Sequence, residues 1–310
     1  MLFYKNAVLI SHNSLNGLKT SMHAIQIWTL AIRPKTLIAS ISPVLIATTM
    51  AIKIGSFDWF IFFCTVCTAL GIQITTNLAN DYFDCLKGSD TDQRKGFVRV
   101  TQAKLVPHKT MRQAIGTSML FTLLSGIYLV VIGKALIACL LVISLCLSIL
   151  YTAGPYPLAY LGLGDLFVWV FFGPIAVSGA YYLQLGSLSL EALLAGIAPG
   201  AISTAILTVN HVRDIDEDLL ANKKTLVSRF GKSFGKWEYL FCLLAAFGSL
   251  FFFYDSHPFA LCTLLCLLPA GMLIKTMFTY KNPKELNVLL IKTGQLLCLF
   301  TALFCIGWML

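Results

Sequence analysis

Nine long apolar stretches, each close to twenty residues, leave this chain few ways to fold. They run over 36–53, 58–80, 112–133, 135–152, 165–184, 190–210, 237–254, 258–279 and 286–309. At ~1.5 Å rise per residue, each matches the ~30 Å hydrocarbon core of a bilayer as one helix. Backbone amides inside lipid must be satisfied within the segment itself, so a chain of such stretches is helical. Composition agrees: 57% of residues are hydrophobic and 12% are charged, about half the ~25% charged share of a soluble domain. The spacing predicts an all-α integral membrane protein with nine transmembrane helices. Gly154-Pro155-Tyr156-Pro157 separates the fourth and fifth stretches, because its prolines cannot continue a helix. Nine of the ten cysteines lie inside apolar stretches, where they act as small hydrophobes and not as a disulfide framework.

The net charge of +9 is distributed to set topology. With nine spans, 21 of the 23 Lys and Arg residues fall on the side of the N-terminus, and only Lys53 and Lys134 on the other. Positive loops stay in the cytoplasm. The expectation is a multi-pass protein of the inner (plasma) membrane, N-terminus inside and C-terminus outside. Basic residues interleaved with spans do not make the single soluble basic face of a nucleic-acid binder, so no nucleic-acid partner is expected. Residues 1–23 lack the continuous apolar region of a signal peptide and read as a cytoplasmic extension to one membrane domain, 24–310.

Two cytoplasmic connections, 81–111 and 212–236, are far longer than the others and hold eight of the fourteen acidic residues. The first cluster reads Asn77-Leu-Ala-Asn80-Asp81-Tyr-Phe-Asp84, with Lys87, Asp90 and Asp92 following. The second reads Asn210-His-Val-Arg213-Asp214-Ile-Asp216-Glu-Asp218. Residues four apart stack on one helix face. Asn80 with Asp84, and Asn210 with Asp214 and Asp218, therefore form two stripes of oxygen ligands at the ends of spans two and six. Topogenic charge does not call for acids, and carboxylates near hydrocarbon are costly. Magnesium takes oxygen ligands and usually binds through one or two carboxylates plus substrate phosphates. Two facing stripes would clamp a diphosphate through Mg2+, and basic neighbours would take the remaining phosphate oxygens.

These stretches resemble the UbiA superfamily of intramembrane prenyltransferases, and within it the MenA type, the 1,4-dihydroxy-2-naphthoate polyprenyltransferases. The likeness also rests on Ala31-Ile-Arg33-Pro34, Val98-Arg99-Val-Thr101-Gln102, Tyr151-Thr-Ala-Gly154-Pro155, Gly164-Asp165, Phe172-Gly173-Pro174 and Lys223-Lys224-Thr225-Leu226. It runs from about residue 28 to the C-terminus. Three positions depart from the pattern: Phe97 for a usual Pro, Asn222 for a usual Gly, and Cys85/Gly88 where a third acid is absent.

The resemblance implies nine helices around a central cavity, and Mg2+-dependent transfer of a polyprenyl group from polyprenyl diphosphate to an aromatic acid, here in menaquinone synthesis. It implies catalytic roles for Asp81, Asp84, Asp214, Asp218 and Tyr151. Asn80, Asp84, Asp90, Asn210, Asp214 and Asp218 would hold the metal. Lys87, Arg94 and Lys224 would meet the departing diphosphate, and Tyr151 would shield the allylic cation. Arg33 and Arg99 are the candidates for the acceptor carboxylate, which a guanidinium matches with two bonds. His211 is open between an acid–base group and a packed interfacial histidine. The alternatives are a sister acceptor (1,4-dihydroxy-6-naphthoate or 4-hydroxybenzoate) or a transporter or flippase of a lipid phosphate. Transporters tend to place ionisable groups at the midplane, whereas these acids stand at helix ends.

Overall fold

A computed structural model describes residues 23–88 and 96–310. Its elements are α1 (Ala24–Ile32), α2 (Pro34–Lys53), α3 (Trp59–Leu86), α4 (His108–Leu150), α5 (Leu158–Leu161), α6 (Gly164–Phe171), α7 (Pro174–Leu185), α8 (Leu190–Ala195), α9 (Ile197–Leu220), α10 (Leu226–Gly248), α11 (Leu267–Thr279) and α12 (Glu285–Met309). Short 3-10 segments extend α10 at Ser249–Phe253 and lead into α11 at Pro258–Cys266. The extension at 1–23 lies, apart from His23, outside the described residues.

Among the described residues, eight helical segments are long and apolar enough to span a bilayer. One of them, α4, has 43 residues; at ~65 Å it would be twice as long as a bilayer requires. It folds back at Lys134, whose φ of 52° and ψ of −143° are not helical. Gly126 lies against Leu141, so the two arms pack antiparallel. The stretches 112–133 and 135–152 are thus two crossings, which makes nine among the described residues.

Two spans are broken, at Phe172-Gly173 before Pro174 and at Gly196. The breaks face each other: a Cβ on Gly173 would collide with the Gly196 carbonyl, and one on Gly200 with the Trp169 carbonyl. Small residues let membrane helices approach this closely. They make α9 the pillar of the bundle, with 78% of its span buried against 22–56% for the others. Around it the main core joins α2, α10, α11 and α12 through Ile46, Tyr239, Leu243, Met277, Phe300 and Phe304. At the end away from the acidic motifs, Lys53 Nζ donates to the Met309 carbonyl at 2.8 Å, and Gln184 bonds both to the Asp58 amide and to its carbonyl. Lys53 and the C-terminus therefore share one face, and the cluster of Ile61, Leu129, Ile137 and Leu183 brings the fold-back at Lys134 toward the same end.

Candidate active site

The acids converge because α3 and α9 end together. α3 runs to Leu86 and α9 to Leu220, so both stripes sit on helix, not on loop. α9 is followed by Asn222 at φ 54°, a left-handed position. Glycine is the usual occupant there, and asparagine is among the few other residues that tolerate it. This departure from the family pattern keeps the turn and returns the chain at Lys223.

On α3, Asp84 is 2% exposed and carries a cage of donors. Tyr160 donates to it at 3.3 Å, with Lys223 Nζ at 3.6 Å and Arg99 Nη2 at 3.7 Å. Asn80 Oδ1 accepts from the Thr152 hydroxyl at 3.0 Å. Asp81, expected to share the chemistry, is placed otherwise. Its oxygens accept the amides of Val100 and Thr101 at 3.1 and 2.9 Å, and it lines neither cavity described below. A fully buried carboxylate bound by two backbone amides is an anchor: it holds the segment after residue 96 so that Phe97, Val98 and Arg99 face inward.

Arg33 sits between α1 and α2 at φ 55°. Pro34 disfavours the ordinary helical conformation at the residue before it. The left-handed turn is fixed by the Thr36 amide and hydroxyl, both on the Arg33 carbonyl, and by Asn77 Nδ2 on the Ile32 carbonyl at 2.8 Å. Strain held this firmly is a frequent mark of a functional position. Its side chain lines the site, 4.0 Å from Asp81.

On α9, Asp214 is gripped by its neighbour Arg213, whose Nε and Nη2 each lie 2.6 Å from its two oxygens. Arg213 Nη1 donates to Asn287 of α12 at 2.8 Å. Its guanidinium lies over the Phe97 ring, 5.7 Å from the centroid, and Lys35 lies 4.1 Å from the same centroid. The Phe at this departing position thus lends a ring face to two cations.

Asn80, Asp84, Asn210, Asp214 and Asp218 all line one polar chamber of about 170 Å3. A second cavity of about 340 Å3, walled mainly by apolar side chains of α2, α3, α4, α6, α7 and α9, begins where the first ends. Arg33, Thr36, Asn80, Tyr151, Leu207 and Asn210 line both. Tyr151 stands at this junction. Among the described residues no three His, Cys, Asp or Glu side chains are grouped to hold an ion by themselves. The donor set, carboxylate and amide oxygens on two facing helix ends, fits a hard ion that takes its other ligands from phosphate and water.

Other expected residues divide. Arg33 and Arg99 line the chamber. Lys87 does not; its Nζ donates to the Gly154 carbonyl at 3.2 Å and lies over the Tyr160 ring. Lys224 is exposed, and its neighbour Lys223 turns inward instead. Asp90 and Arg94 lie outside the described residues. The sequence reading gave no role to Asp165, which is 4% exposed on α6 with its Oδ1 3.3 Å from His211 Nδ1. The available signal was an acid inside an apolar stretch, by default a functional position.

Comparison with known proteins places this geometry. The family model described as "UbiA prenyltransferase family" matches residues 40–308. A 1,4-dihydroxy-2-naphthoate octaprenyltransferase of Escherichia coli is 35% identical over 91% of this chain and 94% of its own length. One of Haemophilus influenzae is 30% identical over 91% and 96%. A solved UbiA homolog from Archaeoglobus fulgidus, bound to GPP and Mg2+, superposes with a TM-score of 0.65 at 11% identity, covering 92% of this chain and all of that one.

Proposed function

The chain belongs to the UbiA prenyltransferase family, and we propose that it transfers a polyprenyl group from its diphosphate to 1,4-dihydroxy-2-naphthoate in menaquinone synthesis. It is an integral membrane prenyltransferase. The observation that carries the reading is the junction: a polar chamber lined by both acid stripes opens at Tyr151 into a long apolar cavity. A diphosphate head and a prenyl tail need that pair of environments side by side. The relatives named above act on the 2-naphthoate, which favours it over 4-hydroxybenzoate or the 6-naphthoate isomer.

Asn80, Asp84, Asn210, Asp214 and Asp218 would hold magnesium, together with Asp90 of the neighbouring segment. Bound there, magnesium supplies the positive charge that makes diphosphate a good leaving group. Lys223 beside Asp84, and Arg213 beside Asp214, would meet phosphate oxygens. Tyr151, which lines both cavities, would present its ring to the separating allylic carbon, and a π face stabilises a cation. Apolar walls behind it exclude the water that would quench that cation. Arg33 and Arg99 would orient the acceptor carboxylate.

The test is product identity. Purified protein with Mg2+, polyprenyl diphosphates, 1,4-dihydroxy-2-naphthoate and 4-hydroxybenzoate should give a prenylated naphthalene product by mass. A prenylated benzoate alone would overturn the acceptor assignment. In the same assay, Arg99→Lys or Arg33→Lys should raise the KM for acceptor and leave that for prenyl diphosphate nearly unchanged, since Lys cannot make the paired contact. An equal rise for both substrates would move that Arg to the diphosphate.

The chamber should face the cytoplasm, with the N-terminus inside, because a nine-span reading of the sequence puts 21 of the 23 basic residues on the side of the acidic motifs. A reporter fused after Leu310 should then read extracytoplasmic; a cytoplasmic reading would reverse the orientation.

A further inference from the structure

Asp165 and His211 form a pair that the diphosphate site does not use. Asp165 begins α6, and His211 follows Asn210 on α9, turned ~100° from the metal-facing stripe. The His211 Nδ1 to Asp165 Oδ1 distance is 3.3 Å, and both residues are more than nine-tenths buried. Among the described residues neither Asp165 oxygen nor His211 Nδ1 has any other partner, and their 3.3 Å approach is a close contact not yet aligned as a hydrogen bond. The helices that carry them are locked by the Gly200–Trp169 approach and by the Thr204 hydroxyl on the Asp165 carbonyl at 3.4 Å. The other charged groups near the pair are Glu238 of α10, which bonds to Thr208, and Asp218 and Lys223 beside His211. His211 lines the polar chamber, whereas Asp165 lines neither cavity.

We propose that Asp165 is a positioning residue that holds the Nδ1–H of His211, so that Nε2 accepts a hydrogen bond from a ring hydroxyl of the aromatic acceptor. A carboxylate on one imidazole nitrogen selects the tautomer and orients the other nitrogen. An unpartnered buried acid is costly, and an otherwise idle carboxylate here is accounted for by that task. The contact fixes the ring about the axis that a carboxylate-binding Arg leaves free, and it lets the site reject acceptors without the hydroxyl. A site built to hydrogen-bond a hydroxyl discriminates strongly against analogues lacking it.

The inference rests on a hydroxylated aromatic acceptor, and the experiment separates the two ideas. Wild type, Asp165→Asn and His211→Phe are compared with 1,4-dihydroxy-2-naphthoate and its two monomethyl ethers, with Mg2+ and one prenyl diphosphate. Asn presents an amide N–H to Nδ1 and so favours the opposite tautomer. Wild type should prefer the dihydroxy acid to one of the ethers, and both variants should lose that preference. Acceptor kcat/KM should fall about 10–100-fold in Asp165→Asn, with prenyl diphosphate binding unchanged. If both variants keep the wild-type preference, the proposal is overturned. It is equally overturned if both lose prenyl diphosphate binding or fail to fold, since the pair is then structural. Failure of wild type to prenylate any of the three acceptors would instead defeat the acceptor assignment on which the pair depends.

Discussion

Asp84→Asn and Asp214→Asn are each expected to lower prenyl transfer by roughly 10²–10³-fold, the usual loss when one element of charge stabilisation is removed. Both substitutions keep volume and remove the negative charge that a hard divalent ion requires. Both also leave an oxygen for existing donors: Tyr160 at position 84, and one of the two Arg213 contacts at position 214. The protein should therefore insert, purify and melt much as wild type. Raised magnesium should restore part of the rate, because the damage is to metal affinity. Asp58→Asn and Asp255→Asn are the controls. Asp58 caps α3 through the amides of Phe60 and Ile61 at the far end of the bundle, and Asn caps as well as Asp. Near-normal transfer by folded Asp84→Asn and Asp214→Asn would refute the two-stripe site.

The second large effect is on chain length. Gly179 of α7 lines the apolar cavity, and a Cβ added there would meet only Leu140, at 3.6 Å. The backbone thus tolerates a side chain, which must project into the cavity. Lining residues on α3 run from Asn80 to Thr65, so the cavity reaches ~22 Å into the bilayer. Gly179 lies five residues beyond Pro174, the first residue of α7, ~7.5 Å along that helix from the break. Gly179→Leu should spare geranyl diphosphate and obstruct longer tails. Since one methylene in an apolar pocket is worth roughly 10–200-fold in kcat/KM, the preference for long over short prenyl diphosphates should fall by at least that order. Equal kinetics for both lengths, or equal loss, would place the tail elsewhere.

Length and periodicity determined much of this molecule in advance. A run of about twenty apolar residues can do little but cross a bilayer, so the crossings, including the fold-back at Lys134, were legible from the chain. The i, i+4 spacing put Asn80 with Asp84, and Asn210 with Asp214 and Asp218, on single faces before any packing was known. Periodicity says which residues share a face, but it does not say how far each helix rotates about its axis or what it meets. Those choices fell to long-range contacts: Gly173, Gly196 and Gly200 set the approach of α6 and α7 to α9 and so brought Asp165 to His211. The same limit hid the fate of Asp81, three residues from Asp84 but turned onto the amides of Val100 and Thr101. The sequence also pointed to Lys224, whereas Lys223 faces inward, since a turn at Asn222 decides it and neighbouring residues on a turn point apart. Local sequence writes the stripe on each helix; only the packed bundle decides which stripes meet.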